Sequence, residues 1–168
     1  MDVPTESIRE GLIALLPRLR RFGRALAHQQ DDADDLVQVA IERALRHARQ
    51  WKPGTRLDLW VMGIMRNAWI DELRSRKRRR ELFAPAEAGE QVGASTMKDI
   101  TANLDIQEAM VRLPEDQRMA IALVLVEGFS YSEAAELLEI PIGTLTSRLA
   151  RGRAALQGYL GDSRGFEE

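Results

Sequence analysis

Apolar positions along the first quarter of the chain recur every three or four residues. Leu12, Leu15, Leu16, Leu19, Phe22 and Leu26 fall on one side of a helix. Pro17 interrupts this row and predicts a kink or a fresh helix start. The acids Asp31 to Asp35 then supply N-terminal caps for a second helix ending near Gln50. Val37, Ile41, Ala44, Leu45 and Ala48 form its expected buried stripe; Asp35, Gln38, Glu42 and Arg46 face away. After the turn at Trp51-Lys52-Pro53-Gly54, Thr55 is expected to cap a third helix running to about Arg79. One apolar row there is Leu57, Val61, Ile64 and Ala68, its neighbour Met65, Trp69 and Leu73, with Asn67, Asp71 and Arg74 opposite.

Between about Glu81 and Ala102 the periodicity collapses among Pro85, Gly89, Gly93, Ser95 and Thr96, which is linker chemistry. Periodicity resumes with Ile106, Ala109, Met110 and Leu113 on one face. Pro114 suits a first helical position, with Glu115 and Asp116 in the first turn. The apolar run Met119 to Val126 fits a buried strand by periodicity alone; the strong start signal and Gly128 just beyond its end favour helix. Ser130 and Glu133 form a capping box for a short helix through Leu138, and Ile140-Pro141-Ile142-Gly143 breaks it. A final helix from about Thr144 to Leu160 buries Leu145, Leu149, Leu156 and Tyr159 or Leu160. The expected fold is all-α: two small helical domains, 1–80 and 103–168, joined by a flexible linker at 81–102.

The 168 residues contain no cysteine, which removes disulfides, thiol catalysis and Cys-ligated zinc. His28 and His47 are the only imidazoles, both beside polar or basic neighbours, so no metal site is expected. No apolar stretch approaches the roughly 20 residues that span a bilayer, and no secretory leader is visible, so a cytoplasmic protein without membrane insertion is expected. No nucleophile–base set is apparent, hence no catalytic residue, no enzyme activity and no cofactor. Net charge is only −2, yet six of the seven residues from Arg74 to Arg80 are basic, and three arginines with no acid lie between Thr144 and Gly161. Local basic patches on a mildly acidic chain suit contact with DNA at chosen spots.

The capped short helix, Pro/Gly turn and arginine-rich helix form a helix-turn-helix pattern, in which the second helix enters the major groove. Thr144, Ser147, Arg148 and Arg151 lie away from the Leu145/Leu149 face and are the candidate readers; a helical hairpin with a solvated basic face has the same spacing. The basic run after Arg74, with Trp60 and Trp69 before it, fits single-strand binding by phosphate contacts and stacking, or a plain helix end with core tryptophans. The Asp35/Gln38/Glu42 stripe fits solvent exposure or protein docking.

Three stretches carry a family likeness. Asp32-Ala33-Asp34-Asp35-Leu36-Val37-Gln38 resembles the acidic segment with which sigma-70 family factors of the extracytoplasmic-function (ECF) group dock on the polymerase β′ clamp helices. The stretch from Leu59 to Arg74 resembles that family's −10 recognition helix. Leu113 to Arg118, Gly128 to Ala135 and Ile140 to Arg151 resemble its −35-reading domain. The resemblance implies a transcription initiation factor, active in stress responses. It would bind bacterial core RNA polymerase through Asp34, Asp35, Gln38 and Glu42, and through the β flap. It assigns −10 DNA to Arg66, Asn67, Asp71, Arg74, Arg76 and Lys77, and −35 DNA to Thr144, Thr146, Ser147, Arg148 and Arg151. An anti-sigma factor is a further implied partner. Val39 stands where the family usually has an acid, and Thr146 where many members have a basic residue. Two other readings are a sigma-like decoy that sequesters an anti-sigma factor and a dimeric repressor; no receiver domain and no heptad seam accompany them.

Overall fold

The computed structural model describes residues 3–83 and 102–164, and the described residues contain helices and turns but no strand. The order is α1 (Val3–Leu26), α2 (Gln30–Arg46), a 3₁₀ turn (Ala48–Gln50), α3 (Leu57–Phe83), α4 (Ala102–Arg112), α5 (Glu115–Ile121) continued by a π turn (Ala122–Val126), α6 (Tyr131–Leu138) and α7 (Ile142–Arg164). The expected linker loses its ends to α3 and α4; positions 84–101 lie outside the described residues.

Several local expectations shift. Pro17 sits inside α1 without ending it. The carbonyl its ring leaves unbonded belongs to Ile13, 67 % exposed, where water can take the bond. The acids of α2 do not cap it: Gln29 occupies the cap position without a side-chain bond, and Asp31 and Asp32 fill the first turn. The buried stripe of α2 is Ala33, Leu36, Val37, Ala40 and Ala44, so Leu45 turns outward. Thr55 donates to the Lys52 carbonyl within the turn rather than capping α3. Pro114 is the residue before α5, not its first, and Ile106 is about half exposed. The run from Met119 is helical as expected, but widens into the π turn before Gly128, whose φ of 75° reverses the chain. The Ser130/Glu133 capping box is present in both directions.

The relation between the two helical groups is not written in local periodicity. A single apolar core runs through both, from Leu19, Phe22 and Met65 to Leu113, Ile121 and Leu145. α1 lies at the centre, packed on α2 along one side and on α4, α5 and the π turn along the other, while α3 meets α6.

Arg118 fastens this centre. Its guanidinium is buried and donates to the carbonyls of Met110 (2.8 Å), Val111 (2.6 Å), Leu113 (2.9 Å) and Leu26 (3.1 Å), and to Glu115 (2.9 Å). Carbonyls at helix ends lack intrahelical donors, and a cation there also complements the helix dipole. One side chain thereby closes the ends of α4 and α1.

Candidate nucleic-acid and polymerase interfaces

Successive turns of α2 present Asp34, Gln38 and Glu42 at spacings of four, all exposed. They line a groove with Arg20 and Arg24 of α1. Asp35 is turned away from this groove. It lines a separate concavity of about 310 Å³ between α2 and α3, with Val39, Arg43, Trp69, Asp71 and Arg76. The acidic segment therefore serves two neighbouring grooves, and the one-stripe reading of Asp35, Gln38 and Glu42 divides between them.

On α3 the basic candidates differ in how free they are. Arg74 and Lys77 are exposed, make no ion pair among the described residues, and line an open groove with Asp71. Asp71 itself is held by Arg43 at 3.0 Å. Arg76 bonds Glu72 (2.9 Å) and Asp32 (3.2 Å) and lies 5.6 Å from the Trp69 ring. Partial burial works against its charge, but the two carboxylates prevail and raise its pKa above the ordinary arginine value. Trp69 is 2 % exposed and donates from Nε1 to Glu115, so it is a core residue rather than an open stacking surface.

Arg66 is the most enclosed of the basic candidates on α3. It donates to Asn67 Oδ1 (3.1 Å) and to the Leu138 carbonyl (3.5 Å), and pairs with Glu139 at 3.5 Å. Its Nε is buried without a partner. Asn67 remains exposed beside a hollow lined by His47, Gln50 and Trp60.

In the C-terminal group α6 and α7 meet across a tight turn. Glu139 closes α6 in the left-handed region (φ 56°), and its amide bonds the Glu136 carbonyl. Leu145 and Leu149 anchor α7, 0 % and 1 % exposed, which turns Thr146, Ser147 and Arg151 to solvent. Thr144 and Arg148 are half-buried; Arg148 pairs with Asp116 at 3.6 Å. The Thr146 hydroxyl donates to the Ile142 carbonyl inside its own helix.

Residues that periodicity does not single out knit the two groups together. Glu127, at the end of the π turn, accepts from Arg18 and Arg21 of α1. Arg56 bridges Asp58 and Glu133. Burial pushes the Asp58 carboxyl up, but donors from Arg56, Arg18 and the Leu59 amide outweigh it and hold its pKa below the ordinary value. The amide of Ser130, helped by Arg56, lowers that of Glu133. The one available sequence signal for Glu127 is an acid closing an apolar run directly before a turn glycine.

Comparison with known proteins matches this architecture at both ends. The family model described as Sigma-70 region 2 covers residues 12–79, and that described as Sigma-70, region 4 covers 103–156. The chain is 39 % identical over 162 residues to the ECF RNA polymerase sigma factor EcfG of Rhodopseudomonas palustris, covering 93 % of this chain and 86 % of that one. It is 35 % identical to the ECF sigma factor SigM of Mycobacterium tuberculosis, over 86 % of this chain and 72 % of the relative. A solved structure of the sigma factor RpoE in complex with the anti-sigma factor NepR, from Bartonella quintana, superposes with a TM-score of 0.81 at 32 % identity, covering 93 % of this chain and 98 % of that one. That coverage takes in both helical groups. The chain belongs to the sigma-70 family of RNA polymerase sigma factors, the promoter-recognising transcription initiation factors, within its ECF group.

Proposed function

We propose that this chain initiates transcription in the cytoplasm by binding bacterial core RNA polymerase, with residues 1–80 and 103–168 as its two working domains and no catalysis of its own. Asp34, Gln38 and Glu42 bind the β′ clamp helices, with Asp35 beside them in the neighbouring groove; the C-terminal domain approaches the β flap. Arg74 and Lys77 grip −10 phosphates, Asn67 contacts an unstacked base, and Arg66, Asp71 and Arg76 join once their present partners are exchanged. Capturing an extruded base offsets the few kilocalories per mole of unstacking. Thr144, Thr146, Ser147, Arg148 and Arg151 read the −35 duplex from the start of α7.

The observation that carries the reading is the α6–turn–α7 unit, whose core face is closed by Leu145 and Leu149 and which leaves Thr146, Ser147 and Arg151 exposed on its other face. An anti-sigma factor is the further partner, by analogy with the relative solved with NepR. Run-off transcription with purified core polymerase and a pool of promoter fragments tests this. Defined transcripts that require the chain are expected. Binding of an anti-sigma protein with no transcript from any fragment would instead identify a sequestering decoy.

A further inference from the structure

The end of the π turn delivers one carboxylate into the seam between the helical groups. The Glu127 side chain is 0 % exposed. Arg18 Nε donates to its Oε2 at 3.2 Å, Arg21 Nε to its Oε1 at 3.2 Å, and a second Arg21 nitrogen to Oε2 at 3.2 Å. Arg18 also holds Asp58 at 3.2 Å, Asp58 holds Arg56, and Arg56 reaches Glu133 of α6. The Phe129 ring lies 5.4 Å from the Arg18 guanidinium and 5.8 Å from that of Arg56. Charges of alternating sign thus close over an aromatic ring, with α1 and the start of α3 on one side and the C-terminal group on the other.

The backbone is shaped for this placement. The Glu127 amide bonds the Ala122 carbonyl at 3.0 Å, five residues back, and the Phe129 amide bonds that of Leu123 at 3.1 Å. The widened turn shifts Glu127 out of α-helical phase, and Gly128 at φ 75° then folds Phe129 inward to 4 % exposure.

A buried carboxylate needs partners to offset its lost hydration. Among the described residues the side-chain partners of Glu127 are Arg18 and Arg21, both on α1. Separation of the groups would return acid and arginines alike to water, so the contact resists opening without making the open form prohibitive. The same closure seats Arg66 against Leu138 and Glu139 of α6.

We propose that the free chain holds itself closed through this ion-pair latch, and that releasing Glu127 from Arg18 and Arg21 uncovers the Arg66 face for its DNA strand. The uncovering step rests on the assignment of Arg66 to −10 DNA; the latch itself does not. A partner that binds only the open form has its apparent affinity reduced by the fraction open, so weakening the latch strengthens binding.

The test uses the full chain with fluorophores on cysteines introduced at the exposed positions Arg46 and Glu136, the natural chain having none. Energy transfer between them reports closure, and stopped-flow mixing reports association with core polymerase. In the otherwise unchanged chain, transfer is high at low salt and falls as salt rises. Glu127→Gln keeps the side-chain shape without the charge. It is expected to lower transfer at fixed salt and to raise the open fraction and the association rate roughly tenfold. Arg21→Gln alters a side chain that is 54 % exposed, so folding is not at stake, and is expected to act in the same direction to a smaller extent. Low transfer in the unmutated chain, or unchanged transfer and association in Arg21→Gln, overturns the latch, and the second result decides even if Glu127→Gln does not fold. Run-off transcription by the unmutated chain reports separately: transcripts without an effect of either variant remove the latch alone, whereas no transcripts remove the promoter-reading function.

Discussion

Trp69 Nε1, on α3, donates to a carboxylate oxygen of Glu115, on α5, at 3.1 Å, with the indole 2 % exposed and the two residues on different helical groups. Glu115 also accepts from Arg118, so its carboxylate is held from both sides of the seam. Trp69→Phe removes one donor and leaves Glu115 still paired. A loss of about 1–2 kcal/mol is expected from the hydrogen bond and the smaller ring. Urea unfolding followed by circular dichroism measures it, and a cost near zero would show that the two groups do not meet at this point in solution.

Arg118 should be far less tolerant. Its substitution by Met orphans the Val111 and Leu113 carbonyls at the end of α4 and the Leu26 carbonyl of α1, while the Met110 carbonyl keeps the Leu113 amide. Leaving several buried acceptors unpaired is expected to cost about 3 kcal/mol or more. Arg118→Lys should recover little, because an ammonium cannot reproduce the planar fork that reaches these carbonyls together. Urea midpoints of the two variants decide this: Lys near the natural value would contradict the fork.

What can be read in the sequence, and what cannot, divides along the range of the interactions. The Ser130/Glu133 box, the Gly128 turn and the Leu145/Leu149 anchor are local, set by residues within a turn or two of each other, and all three stand in the fold. Periodicity misplaces the stripe of α2 because alanines carry it, and Ala33, Ala40 and Ala44 are weak hydrophobic markers beside Leu45. Arg118 and Glu127 escape it because burial of a charged residue depends on partners far along the chain, 92 residues away for Leu26 and 109 for Arg18. Asp35 separates from Gln38 and Glu42 for a similar reason: helical spacing gives a face, but the neighbouring helices decide which groove that face belongs to.

Two glycines of α7 make opposite predictions from one helix. A Cβ on Gly152 would stand 2.9 Å from Ile121 Cγ1, in the contact that brings α7 onto α5. Ile121 is 2 % exposed and has little room to yield, so Gly152→Ala is expected to cost about 1–3 kcal/mol. Gly158 has nothing within 4 Å of the same position, and Gly158→Ala should stabilise by about 0.5–1 kcal/mol. Thermal melts of the two variants should therefore move in opposite directions.

Acid should loosen the network around Arg56. The pKa values of Asp58 and Glu133 are both lowered in the fold. A lowered carboxylate pKa means that the unfolded chain binds protons more readily, so stability is present above the unfolded value, about 4, and is lost as pH falls through the folded one. Melting temperature should therefore decline below about pH 4. In Asp58→Asn that decline should be shallower than in the natural chain, and parallel curves would show that Asp58 does not contribute to it.

The division of labour between the two DNA-reading helices gives the most demanding prediction. Arg151 is exposed and makes no ion pair among the described residues, whereas Arg148 is tied to Asp116. An arginine reading a base edge discriminates by roughly 1–3 kcal/mol, while one gripping phosphate weakens all sequences alike. Arg148→Ala and Arg151→Ala should lower transcription chiefly from promoters that depend on the −35 element. Arg148→Ala should do so less if part of its binding is spent breaking the Asp116 pair, and Asp116→Asn should then strengthen −35 dependence. Asn67→Ala and Arg74→Ala act on the other helix and should impair strand opening while closed complexes still form. Permanganate footprinting of unpaired thymines, run beside a binding assay on the same promoters, separates the two defects. A loss of melting on a pre-opened bubble template with Arg148→Ala, or a changed −35 preference alone with Asn67→Ala, would mean that the helices do not share the work in this way.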